Sequence, residues 1–90
     1  MPGSASLEQK LAALPASAGV YVLRDRRGKP LYVGKAKSLR DRVRSYFRDE
    51  RSPQQKPPEM VRKITDFDTI VTDSEAEALI LESNLIKEYA

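Results

Sequence analysis

The chain has no histidine and no cysteine. That removes the usual general base, the usual zinc ligands and every Ser-His-Asp or thiolate mechanism. Any chemistry must come from Tyr, Lys, Arg, Asp and Glu, with a hard divalent cation as the natural cofactor. Such residues gather at four places. Tyr21 lies in Gly19-Val20-Tyr21-Val22-Leu23 and Tyr32 in Leu31-Tyr32-Val33. A basic turn, Gly34-Lys35-Ala36-Lys37-Ser38, follows at once. Arg40, Arg42, Arg44 and Arg48 come next, and Glu82 sits in Leu81-Glu82-Ser83-Asn84-Leu85-Ile86-Lys87.

The two tyrosine runs are rich in β-branched and aromatic residues, as strands are. Side chains alternate along a strand, so the connection between Asp25 and Pro30 decides whether Tyr21 and Tyr32 share a face. A two- or four-residue loop puts them together; a three-residue loop separates them, since a one-residue slip reverses every side chain. An ordinary cross-strand aromatic pair would look the same.

In the basic turn, Gly34 permits a close approach, and the N–H groups opening the next helix favour an anion. The glycine spacing of a Walker loop is missing, so a plain basic turn explains the residues as well as a phosphate site does. On the helix after Ser38, spacing turns Arg44 and Arg48 away from the apolar stripe of Leu39, Val43, Tyr46 and Phe47, with Arg40 and Arg42 flanking it. This is either a solvated basic face or a face for a nucleic-acid backbone, with one flanking arginine turned to a reacting phosphate. Spacing does not say which one. Glu82 projects near the centre of a stripe formed by Leu81, Leu85, Ala78, Tyr89, Ile86 and Leu79. A carboxylate there must be paired, protonated or bound to a cation, unless the stripe is less buried than its composition implies.

The elements that position these groups are legible. Ser6-Leu7-Glu8-Gln9 is a capping-box pattern opening a helix that Pro15 stops. A hairpin follows, with Gly28 suited to positive φ and Pro30 to a strand start. Ser38 caps the arginine helix, 49–58 is a polar loop with three prolines, 59–66 is a short helix, Phe67 to Thr72 a third strand, and Ser74-Glu75-Ala76-Glu77 opens the last helix. That helical pattern still runs at Ala90, as it would in an N-terminal piece of a longer protein. Three short strands with helices around them make an α+β domain. Ninety residues form one domain, 1–90. Sixteen Lys and Arg against thirteen Asp and Glu give a net charge of +3, which suits weak, salt-sensitive binding to nucleic acid. No apolar run suits a membrane span, and a chain without cysteine fits a reducing, cytoplasmic compartment.

Gly19-Val20-Tyr21, ten residues, then Tyr32-Val33-Gly34 with Lys35 behind resembles the GIY-YIG nuclease motif, with Val for both isoleucines. The stretch from Tyr32 to Val43 and that from Leu81 to Lys87 resemble the UvrC branch of that family, the nucleases of bacterial nucleotide excision repair. The likeness runs from about Leu14 to Ala90. It implies the small, mainly antiparallel GIY-YIG sheet flanked by helices, and a metal-dependent DNA endonuclease cutting 3′ to a lesion. It implies Tyr32 as general base, Tyr21 as the second motif tyrosine, Lys35 beside them, Arg42 as the catalytic arginine, and Glu82 as ligand of one Mg²⁺ or Mn²⁺. Gly19, Gly34 and Tyr46 become motif positions, and Lys37, Arg40, Arg44 and Arg48, with Lys35, a phosphate-binding set. A further family asparagine would lie past Ala90. The implied partners are damaged double-stranded DNA, UvrB loaded by UvrA, and the remainder of a UvrC-type protein. The alternatives are a homing or structure-selective nuclease of the same family, or a non-catalytic basic module that kept the fold.

Overall fold

The computed structural model describes residues 4–48 and 62–89. Its elements are α1 (Ser4–Ala12), β1 (Gly19–Arg24), β2 (Pro30–Ala36), α2 (Leu39–Arg48), β3 (Asp66–Val71) and α3 (Glu75–Tyr89). The sheet is antiparallel throughout, in the order β2-β1-β3. Central β1 is buried on both faces. This is why Gly19-Val20-Tyr21-Val22-Leu23 reads as an unbroken apolar run rather than an alternation.

The two faces are filled by different helices. Tyr21, Leu23, Phe67, Leu39 and Val43 are buried in the larger core, beneath α2 and α1. Val20, Val22, Val33 and Ala78 form the smaller one beneath α3. Gly19 sits where β3 and α2 close in. A side chain there would strike the Ile70 carbonyl and the Leu39 Cδ1.

The hairpin departs from simple parity. The Asp25 N–H donates to the Lys29 carbonyl (3.0 Å), leaving Arg26-Arg27-Gly28 as a three-residue loop with Gly28 at φ 82°. By parity alone, such a loop places Tyr32 opposite Val22. Instead Tyr32 pairs with Leu23, because the register shifts between Leu23 and Arg24 and Leu31 becomes an extra residue. Two one-residue displacements cancel, and the tyrosines share a face.

Helix starts are mostly as the sequence predicts. The Ser38 Oγ accepts from Asp41 N–H (3.3 Å), and the Ser74 Oγ from Glu77 N–H (3.2 Å). The first helix differs: its backbone is already helical at Ser4, so Ser6 lies within α1 and is not its cap. Asp66, expected to end a helix, begins β3, and of the described residues in the expected helix 62–63 are helical. The 49–58 loop and the start of that helix lie outside the described residues.

The stripe on α3 is narrower than its composition predicts. Ala78 is buried, with Leu81 and Leu85 packed beside it, whereas Leu79, Ile86 and Tyr89 are 52%, 47% and 41% exposed. One helix on a three-stranded sheet buries only its facing third. Leu79 and Ile86 project outward, and the Tyr89 hydroxyl meets Arg24 (3.4 Å).

Lys10 fastens α1. Its Nζ donates to Asp66 Oδ1 (2.7 Å) and to the Phe67 carbonyl (2.6 Å). Burial alone would raise the Asp66 carboxyl, but the Lys10 ammonium and the Phe67 amide hold it below the usual carboxylate range. A lowered native pKa stabilises the fold above the ordinary carboxylate value near 4, and that contribution disappears as pH falls through the native one. Asp66→Asn is therefore expected to lower Tm at neutral pH and to match wild type once the pH lies below the native value. Melting curves at the two pH values check this, and an equal deficit at both removes the ion pair as the cause.

Candidate active site

Tyr21, Tyr32 and Tyr46 meet on the α2 side of the sheet. The Tyr21 ring lies 6.1 Å from that of Tyr32 and 5.9 Å from that of Tyr46, centre to centre. The Tyr21 and Tyr46 hydroxyls are 3.3 Å apart. Gly34, directly across from Tyr21, makes this possible. A Cβ at Gly34 would stand 2.5 Å from the Tyr21 hydroxyl and 2.8 Å from Tyr32 Cε2. What approaches Gly34 closely is thus a tyrosine ring.

The three phenols differ in access. Tyr21 and Tyr46 are buried, and Tyr32, on edge strand β2, is half-buried. Burial first, then the hydrogen bond and repulsion from Tyr46 and Tyr32, push the Tyr21 hydroxyl far above the usual phenol value, with Arg42 opposing. Tyr21 is therefore a fixed neutral phenol.

Lys35, Lys37 and Arg42 line a cleft of about 440 Å³ where β2 runs into α2 and the first turn of α3 comes alongside. Of the two readings of the basic turn, an anion site built on the amides opening α2 finds no support, because these N–H groups are taken up within the fold. Leu39 N–H donates to the Ser17 carbonyl (2.9 Å), Arg40 N–H to that of Pro15 (3.0 Å), and Asp41 N–H to Ser38 Oγ. The positive charge this cleft offers an anion lies on the side chains of Lys35, Lys37 and Arg42.

The helix arginines divide. Arg42 is exposed and enters the cleft; Arg40 is exposed outside it. Arg44, expected to face solvent, is half-buried and donates from Nε to the Leu11 carbonyl (3.2 Å), tying α2 to α1. Helical spacing showed Arg44 opposite the stripe but not that α1 would lie there. The Arg48 side chain is outside the described residues.

Lys35 opposes Val20, so it leaves β2 on the α3 face, while Tyr32 leaves on the other. Because β2 is an edge strand, both faces are reachable along its open side. Glu82 lies one helical turn beyond cleft-lining Ala78 and is half-buried. The stripe around it is less buried than its composition implies, and its carboxylate makes no hydrogen bond or ion pair with any described residue. No cluster of three or more possible metal-ligating His, Cys, Asp or Glu exists among the described residues. Asp41 and Glu75 do line the cleft. The sequence showed Glu75 only as a helix-opening acid, and convergence of two helix starts was the missing signal.

The model of the UvrC-like GIY-YIG domain family matches residues 17–90. The UvrABC system protein C of Caldicellulosiruptor saccharolyticus is 56% identical over 85 residues, covering 93% of this chain and 14% of that protein. The protein of that name from Gemmatimonas aurantiaca is 59% identical over 81 residues, covering 90% and 13%. The chain thus spans about a seventh of the length of these curated relatives. The GIY-YIG N-terminal endonuclease domain of UvrC from Thermotoga maritima, bound to its catalytic magnesium, superposes with a TM-score of 0.74 at 39% identity, covering 93% of this chain and 90% of that one. A form of it with an asparagine replaced by alanine, also bound to the cation, gives 0.74 at 39% identity, covering 93% and 89%.

The raised Tyr21 value fixes an alkaline limit. A folded pKa above the unfolded one stabilises fully below about pH 10 and is lost as pH climbs past it. Tyr21→Phe should therefore flatten the fall of Tm above that pH. Ultraviolet titration of folded protein should be the same for both forms, with one phenolate fewer in the variant only after denaturation. A phenolate that folded wild type shows and the variant lacks would contradict the burial of this proton.

Proposed function

The chain belongs to the UvrC-like GIY-YIG family, and on that premise we propose that it is a DNA endonuclease domain cutting one phosphodiester 3′ to a lesion. The reading takes the chain as one domain of a longer repair nuclease, recruited through UvrB after UvrA has loaded it on damaged DNA. No described helix is long and apolar enough to cross a membrane. The observation that carries the reading is Arg42. It is exposed, shares a cleft with Lys35 and Lys37, and stands on the same helix as buried Tyr46.

The residues fit one hard divalent cation. Glu82 has a carboxylate uncommitted among the described residues, with solvent access, and Mg²⁺ keeps several waters and takes only one or two protein carboxylates. Bound at Glu82, the cation would supply positive charge to the phosphate and the departing oxygen. The chain's side chains perform the rest. Lys35 and Lys37 draw the backbone into the cleft. Arg42 donates to non-bridging oxygens and holds the charge that builds there. Tyr32, the accessible phenol, takes the proton from the attacking water. A phenol with a reference value near 10 needs neighbouring positive charge to do so at neutral pH. Tyr21, braced by Tyr46, holds the Tyr32 ring in place. Attack in line with the bond leaves a 5′-phosphate and a 3′-hydroxyl. A homing-type nuclease of this family would cut undamaged target DNA, so dependence of cutting on a lesion separates the two.

Arg42→Ala in the full repair nuclease should reduce 3′ incision by about 10²–10³, the usual cost of losing one charge-stabilising donor. Arg40→Ala, outside the cleft, should change it little. Equal effects on incision gels remove the special place of Arg42. The cation is tested without activity. Mn²⁺ should raise the Tm of wild type and of Glu75→Gln but not of Glu82→Gln, by mass action on the folded state. A response lost in Glu75→Gln and kept in Glu82→Gln moves the cation to the cleft.

A further inference from the structure

A second concentration of positive charge lies at the opposite end of the sheet. The β1–β2 loop presents Arg26, Arg27 and Lys29, all exposed. Arg62 and Lys63 come beside them because Thr65 N–H donates to the Arg24 carbonyl (3.0 Å). The five line one cleft of about 500 Å³, and none forms an ion pair with a described residue. Its one carboxylate is turned to the backbone: Asp25 Oδ1 accepts from the N–H groups of Arg27 and Lys29, each at 2.9 Å. These bonds, Lys29 foremost, hold the Asp25 carboxyl below its usual value. Arg24 completes the loop's support, donating to the Gly28 carbonyl (2.8 Å) while its Nε is held by Asp68 (2.6 Å). The backbone is thus ordered while the cationic ends are left to solvent, which lowers the cost of ordering them on a ligand.

We propose that this cleft is a second docking site, for the phosphodiester backbone of duplex DNA. The inference extends the proposed nuclease function by a contact on the same substrate, remote from the reacting phosphate. Its lining is wholly polar or charged. A protein partner needs apolar or aromatic anchors to desolvate, and there are none. Phosphates need only cations, and the three arginine forks among them suit phosphate oxygens. Spacing agrees. Along β2, seven residues at about 3.3 Å each separate the two clefts by roughly 20 Å. At about 3.4 Å per base pair this is near six base pairs of one duplex. Gripped at both ends, the domain is set in register on the DNA, which fixes the bond that reaches Arg42.

The test is salt-dependent binding to an undamaged duplex of roughly 20 base pairs, long enough to span both clefts. The triple variant Arg26→Ala, Arg27→Ala, Lys29→Ala should bind more weakly at low salt. Its plot of log K against log salt should lose about 0.9 of slope per phosphate contact, between 2 and 3 in all. Circular dichroism should be unchanged, since all three side chains are exposed; the double variant Arg62→Ala, Lys63→Ala repeats the test from another segment, with a loss near 2. A wild-type slope in both variants overturns the proposal. So does binding of polyglutamate in preference to the duplex, lost in the same variants, which assigns the cleft to an acidic protein. Slope is read without cleavage, so the nuclease reading fails separately, in a Tyr32→Phe form of the full repair nuclease that still cuts.

Discussion

The antiparallel register of β1 and β2 is the constraint on which the tyrosine cluster depends. Strand side chains have a period of two, so one residue gained or lost exchanges the faces. The three-residue loop closed by Asp25 and Lys29 would turn Tyr32 towards α3, and the extra residue at Leu31 turns it back. Only in that register does Gly34 lie opposite Tyr21 and leave room for its ring. Bulges commonly re-aim a side chain beside a functional site. Here the bulge also leaves Leu31 packed against the larger core, so the displaced residue is itself held by burial.

The cations sort by what the backbone does with them. Lys10, Arg24 and Arg44 are tied to carboxylates or carbonyls and fasten α1, the hairpin and α2. Lys35, Lys37 and Arg42 line one cleft, and Arg26, Arg27, Lys29, Arg62 and Lys63 another. A net charge of +3 therefore understates the local field. Asp66 and Asp68 answer Lys10 and Arg24 on β3, while the cleft of Arg26, Arg27, Lys29, Arg62 and Lys63 holds a single carboxylate, that of Asp25. Ion pairs this exposed contribute little stability each; their consequence is the distribution of charge that remains.

The fold was legible wherever a local signal decided it. Ser38 and Ser74 cap their helices, Gly28 takes positive φ and Pro30 opens a strand, each a rule of one residue and its neighbours. The misreadings share a cause: they turn on a partner distant in sequence. Arg44 was placed in solvent because spacing does not show that α1 packs there. The amides opening α2 were read as free because Pro15 and Ser17 are remote from them. The α3 stripe was too wide because burial depends on how much sheet lies beneath, and composition is silent on that. The family motif supplied the tyrosines together, yet the bulge that unites them leaves no mark in the residue types.

The half-burial of Glu82 sets what a cation there would meet. A carboxylate sealed among Leu81 and Leu85 would be stressed without its cation, and metal binding would carry the relief of that stress. On the narrow α3 interface the carboxylate keeps solvent instead. A hard cation held by few protein ligands must retain much of its water, and a sealed site has no room for it. The sparse packing of α3, with Ala78 as its one buried residue, thus meets the requirement of the proposed ligand. The other side of the sheet obeys the opposite demand. A phenol that must keep its proton and hold a neighbouring ring is best buried, as Tyr21 is against Tyr46. One three-stranded sheet supplies both environments because its two faces are covered unequally.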